Sequence, residues 1–74
     1  MKAKMVTNPQ RQYAGQWYVP IDHTWDGIPR YLHVDGIVRG STFNGGEPSG
    51  YFATEAAAQE AIDAFRSKRA EAIK

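Results

Sequence analysis

The sequence predicts an α+β domain, a three- to four-stranded antiparallel sheet packed on one C-terminal helix (ββββα or βββα). Three observations carry that expectation. Residues 16–22 (QWYVPID) alternate apolar and polar side chains at the period of a half-buried strand. An Asp35-Gly36 pair stands between two strand-like runs. From Glu55 onward the chain is rich in helix formers, with its apolar residues at helical spacing.

Residues 1–14 carry Lys2, Lys4 and Arg11 with no acidic residue, and Asn8-Pro9 interrupts them. They are expected to form a flexible basic arm, with a short strand at Met5-Val6 as an option, and the domain proper is expected to cover residues 15–74. In residues 16–22, Trp17, Val19 and Ile21 share one face while Gln16, Tyr18 and Asp22 share the other. Pro20 has no N–H to donate to a ladder, so this strand is expected at an edge or carrying a bulge. Residues 23–29 (HTWDGIP) read as a turn or loop, marked by Asp26-Gly27 and Pro29.

Asp35-Gly36 between residues 30–34 and 37–42 is the strongest hairpin signal in the chain. Two registers fit it. A two-residue turn pairs Val34 with Ile37 and Leu32 with Arg39. A three-residue turn, with Gly36 left-handed in a bulge, pairs His33 with Ile37 and Leu32 with Val38. The second puts Leu32 and Val38 inward and leaves Tyr31, His33, Ile37 and Arg39 outward. A one-residue slip exchanges the two faces.

Residues 43–50 (FNGGEPSG) are a loop by composition, and residues 50–53 a short last strand. Thr54 is placed to cap the helix N-terminus, without a capping-box Glu, since Ala57 holds that position. Ala58, Ala61, Ile62, Phe65, Ala72 and Ile73 form one face, with Ile62 and Phe65 as its main anchors. Glu55, Glu60 and Asp63 sit early, and Arg66, Lys68, Arg69 and Lys74 late, which matches the helix dipole. No internal repeat or low-complexity tract stands out.

Seventy-four residues allow one core. A chain of this size buries only about 60% of its unfolded surface. With no cysteine, disulfides and thiolate metal sites are both out of reach, which favours self-association or a partner as additional stabilisation. No apolar run approaches the roughly 18 residues of a membrane span. The N-terminal residues lack the apolar stretch of a signal peptide, so a cytoplasmic location without membrane contact is expected. Nine Lys/Arg against eight Asp/Glu leave the chain near neutrality, without the field that drives nonspecific nucleic-acid binding.

Catalysis is not expected. The glycines at Gly45-Gly46 and Gly50 lack phosphate-loop spacing, and Ser41, Thr42 and Ser49 have no nucleophile motif around them. His23 and His33, with Asp22, Asp26 and Asp35 near them, lack the spacing of a zinc site, so neither metal nor cofactor is expected. The unusual feature is aromatic: two Trp, four Tyr and three Phe exceed what one helix needs to cover. If the helix covers one side of the sheet, the other side and the adjoining loop present Tyr18, Trp25, Arg30, Tyr31, His33 and Arg39, residue types that anchor protein interfaces.

Residues 50–65 (GYFATEAAAQEAIDAF) resemble the last strand and helix of ethylene-response-factor-type DNA-binding domains and of integrase arm-type modules. The residues in question are Tyr51, Phe52, Thr54, Ala56, Ala57 and Ala58. Small phage-type sheet-plus-helix proteins share this ending. The resemblance implies a sheet packed on a helix and set against the DNA major groove. The strands here offer only Arg30 and Arg39 for that purpose, with Asp22, Asp26, Asp35 and Glu47 opposing them. The leading expectation is therefore a small accessory or regulatory protein of phage or mobile-element type, binding a protein partner or a second copy through its aromatic sheet face. The alternative is a double-stranded DNA-binding module using the same face, with Lys2, Lys4 and Arg11 joining Arg30 and Arg39 on phosphates.

Overall fold

The computed structural model of the protein describes residues 1–21, 24 and 26–73, with residues 69–73 described by their backbone alone. It is an antiparallel sheet closed by a C-terminal helix, the expected α+β arrangement. The elements are β1 (Lys4–Met5), β2 (Trp17–Pro20), β3 (Tyr31–Leu32), β4 (Val38–Arg39), β5 (Tyr51–Phe52) and α1 (Glu55–Ile73).

β2 organises the sheet. Trp17 and Tyr18 pair with Met5 and Lys4 of β1 on one edge and with Phe52 and Tyr51 of β5 on the other. Val19 and Pro20 pair with Leu32 and Tyr31 of β3. Pro20 is compatible with this position for a simple reason. Successive residues of a strand turn their backbone groups to opposite edges. Ile21 donates its N–H to the Arg30 carbonyl on the β3 edge, so the Pro20 nitrogen faces the opposite edge, where β1 has already ended. The expectation of an edge strand thus needs correcting: β2 is central at Trp17–Tyr18 and becomes an edge only at the proline.

The first fourteen residues are not set apart from the sheet. β1 is part of it, Val6 N–H bonds the Gln16 carbonyl, and Gly15 N–H returns to the Val6 carbonyl. Between them residues 8–15 turn back on themselves through Arg11 N–H to Asn8 and Ala14 N–H to Arg11. Their polarity reflects a surface loop, and backbone bonds of this kind leave no trace in hydropathy.

The hairpin adopts the three-residue register. Leu32 faces Val38, Tyr31 faces Arg39, His33 N–H bonds the Ile37 carbonyl, and Gly36 has φ of 81°. A left-handed residue there closes a bulged turn whose twist suits the strands, and glycine adopts it without strain.

Thr54 caps the helix as expected, its hydroxyl accepting the Ala57 N–H at 3.1 Å. α1 lies against β2 and β5. Val19, Leu32, Ala58 and Ile62 are fully buried and Phe52 nearly so, with Trp17, Ile21, Val38, Ala61 and Phe65 packed around them. Ala58 shares the inner helical face with Ile62, while Phe65 is only half-buried; the small side chain lets the helix come close to the sheet. Among the described residues the last turn of α1 carries no basic residue.

Candidate functional site

The face of the sheet opposite α1 carries every second residue of the strands. Register places Lys4, Tyr18 and Tyr51 side by side across β1, β2 and β5, and Pro20, Tyr31 and Arg39 across β2, β3 and β4. Two loops rise beside this face. One is the 6–15 segment, the other the 40–47 segment, itself drawn tight by reciprocal backbone bonds between Asn44 and Glu47. Between them runs a groove of about 690 Å³ bordered by Tyr13, Tyr18, Tyr31, Phe43, Tyr51 and Arg11.

The rings fall into two groups. Tyr13 stacks on Tyr51 with centroids 4.5 Å apart, and Phe43 packs edge-on against both at 5.7 and 6.1 Å. These are the separations that aromatic quadrupoles favour. The cluster joins one residue from each flanking loop to β5 and so fixes both walls to the sheet. Tyr18 and Tyr31 meet edge-on at 6.1 Å and sit on the strands themselves. Thr42 Oγ1 donates to the Tyr51 hydroxyl at 3.2 Å, which fixes the orientation of that ring.

Two further contacts hold the second wall. Gly50 N–H bonds the Thr42 carbonyl at 2.9 Å, and a Cβ at Gly50 would stand 2.7 Å from Thr42 backbone atoms, so only glycine allows this approach. His33 is fully buried, with Nε2 2.6 Å from the Ser41 carbonyl and Nδ1 2.5 Å from Ser49 Oγ. A carbonyl only accepts, so Nε2 carries a proton and donates it. Nδ1 then accepts the Ser49 hydroxyl proton in the neutral ring. Both ring nitrogens are satisfied, as burial requires.

Of the residues expected on the open face, Tyr18 and Tyr31 stand together on it. Trp25 lies outside the described residues, as do His23 and Asp22. His33 is the clear correction. Alternation from Tyr31 would put it outward, but alternation holds only while a strand continues. In the β2–β3 register His33 would face Tyr18, and that place is taken by Tyr51 of β5. The chain therefore leaves β2 after Leu32, Val34 N–H bonds the Ser49 carbonyl instead, and His33 turns in.

Arg30 and Arg39 are each paired with an aspartate of their own turn. Arg30 grips Asp26 through two hydrogen bonds of 2.8 and 2.6 Å, and Arg39 grips Asp35 through two of 3.1 and 2.8 Å. Each aspartate also accepts the N–H of the isoleucine two residues on, Ile28 or Ile37, at 3.1 Å. Each turn contains a left-handed glycine, Gly27 at 72° and Gly36 at 81°, whose N–H bonds the carbonyl three residues back. DGIPR and DGIVR are thus a short structural repeat, nine positions apart. The guanidinium pairing, followed by the Ile28 amide in the first case and the Ile37 amide in the second, holds the Asp26 and Asp35 carboxyls down at about 2.

Tyr13 and Phe43 were not singled out by sequence, while Tyr51 was named only through the family resemblance and Arg11 only as a phosphate contact of the basic arm. A cue existed for Tyr51, which follows the glycine of the last strand and alternates with the buried Phe52. Tyr13 and Phe43 sit in loops, where no periodicity assigns a direction. Among the described residues no group of three His, Cys, Asp or Glu side chains could hold a metal ion, and no helix is long and apolar enough to cross a membrane. No family model matches the chain, and no curated protein or solved structure does either.

Proposed function

We propose that this is a small non-catalytic binding protein that holds a segment of a protein partner, or of a second copy, in the groove over its open sheet face. The observation that carries this reading is the groove itself, with five aromatic rings along a face that the protein's own helix leaves uncovered. Half-buried tyrosines combine a large apolar surface with a hydroxyl and lose little side-chain entropy when bound, which suits them to anchor an interface. The fixed walls add to this, because a site shaped before binding loses less free energy to ordering.

The ion pairs favour a protein over a DNA duplex. A sheet face that binds DNA draws its affinity from cations placed on phosphates. Here Arg39 on β4 and Arg30 just before β3 are already paired with aspartates of their own turns. A groove between two loop walls also suits a narrow chain better than a broad convex duplex.

Selection of a displayed random-peptide library against the whole protein tests this reading. Recovered peptides should shift the backbone amide signals of Tyr18, Tyr31 and Tyr51 and lose affinity for Tyr18→Ala. Peptides that map to α1 or to the exposed Ile28 and Ile37 would contradict the groove. Light scattering during the same titration separates a second copy from a foreign partner. A mobility-shift series with unrelated duplexes at two salt concentrations addresses the DNA alternative, which predicts tight binding that weakens steeply with salt.

A further inference from the structure

We propose that the occupant of this groove is an extended proline-containing segment with acidic residues beside its prolines. The inference rests on the binding function proposed above and names the chemistry of the partner.

The first support is topological. Beneath the groove β2 is paired on both edges at Trp17–Tyr18, so no incoming strand can add to the sheet there. An occupant must lie on side chains, without a ladder to satisfy its backbone. A chain in the polyproline conformation has no internal hydrogen bonds and keeps its carbonyls outward, so it loses nothing by lying on a face.

The second support is the balance of donors and acceptors. Several acceptors lining the groove are already used within the protein. Asn8 Oδ1 accepts Gln10 N–H, Ser41 Oγ accepts Phe43 N–H, and the Tyr51 hydroxyl oxygen accepts from Thr42. Beside these partly used oxygens the wall offers donors: the Asn8 amide N–H₂ and the Ser41 and Tyr51 hydroxyl protons, joined by the Arg11 guanidinium. No carboxylate lines the groove among the described residues. A wall with surplus donors fits a ligand with surplus acceptors. Each proline supplies a carbonyl and removes the N–H that would need a partner. The tyrosine rings offer apolar faces to the pyrrolidine rings.

The third support is charge. Arg11 lines the groove and Lys4 stands beside Tyr18, and neither has an ion-pair partner among the described residues, unlike Arg30 and Arg39. Among the described residues, two cations without an ion-pair partner and a lining without carboxylates are complementary to an acidic chain.

The test is an amide-detected titration of the full chain with four probes. These are a capped Glu-Pro-Pro-Glu-Pro-Pro-Glu peptide, the same peptide with Gly-Ser for Pro-Pro, the same with Lys for Glu, and an oligothymidylate. The acidic proline peptide should bind about tenfold more tightly than either altered peptide, with its shifts centred on Tyr18, Tyr31 and Tyr51. Arg11→Ala should reduce the preference for Glu over Lys while keeping the preference for proline, and Tyr18→Ala should remove both. Spectral dispersion like that of the parent protein shows that each variant is folded. Equal binding of the Gly-Ser peptide, or tighter binding of the oligothymidylate, overturns the inference. If library-selected peptides occupy the groove but lack proline, the inference fails and the binding function stands. If no peptide of either source reaches the groove, both fail.

Discussion

The two faces of the sheet come from the same strands, one residue apart, yet they are finished differently. On one face Val19, Leu32 and Phe52 meet Ala58 and Ile62 of the helix, and the result is closed and apolar. On the other, Tyr18, Tyr31 and Tyr51 occupy the alternate positions and stay half-buried, bordered by loops. Both faces are rich in large side chains. The difference lies in what covers them: a helix that displaces water completely, or two loops that stand apart and leave a groove. The first arrangement serves stability, and the second keeps apolar surface available for another molecule.

The sharpest way to break this comparison is to damage the closed face. Ile62→Ala leaves a cavity between α1 and the sheet and is expected to cost about 2–5 kcal/mol, enough to unfold much of so small a domain. Urea denaturation measures it. A loss no larger than that of an exposed substitution would mean that the helix does not hold the sheet.

Next come the residues that set the wall between the faces. Gly50→Ala forces a methyl group against the Thr42 backbone and is expected to cost about 1–3 kcal/mol. His33→Ala leaves the Ser41 carbonyl and the Ser49 hydroxyl without their buried partner, at a cost of about 1–3 kcal/mol. Both should also loosen the 40–47 wall, read as faster amide exchange at Thr42 and Gly50. A His33→Ala protein with parental stability would show that the ring merely fills space.

The smallest effect is electrostatic. Asp26 and Asp35 titrate at about 2, below their value in an unfolded chain, because Arg30 and Arg39 pair with them. Their contribution to stability is complete above the unfolded value near 3.8 and is lost as pH falls from there through about 2. Thermal melting between pH 5 and pH 2 should therefore fall mainly below pH 4, and Asp35→Asn should flatten part of that fall. Because these pairs are solvent-accessible, salt should weaken the effect.

The closed face was largely legible in the sequence. Trp17, Val19 and Ile21 at period two, the Asp35-Gly36 turn, Thr54 as cap and the helical spacing of Ala58 and Ile62 all follow from local rules, and the structure has them as expected. The open face was legible only where a strand continued, at Tyr18 and Tyr31. His33 escaped because β5, distant in sequence, takes the place on β2 that would have kept β3 straight. Tyr13 and Phe43 escaped because loop residues are oriented by long-range contacts, here the packing of both rings against Tyr51. The two DGIxR turns were readable as turns, but that each arginine folds back on its own aspartate depends on side-chain reach, which spacing alone leaves open. The outcome removes two cations from the binding surface and leaves Arg11 and Lys4 in their stead. The first pentad leads into β3 while the second closes a hairpin.

The most direct test of the account is to measure stability and groove binding together on Tyr18→Ala. The account predicts a small loss of stability, under about 1 kcal/mol as for a cross-strand pair, together with loss of binding by library-selected groove peptides. A loss of stability as large as that of Ile62→Ala, with peptide binding intact, would show that the tyrosines only cover the sheet.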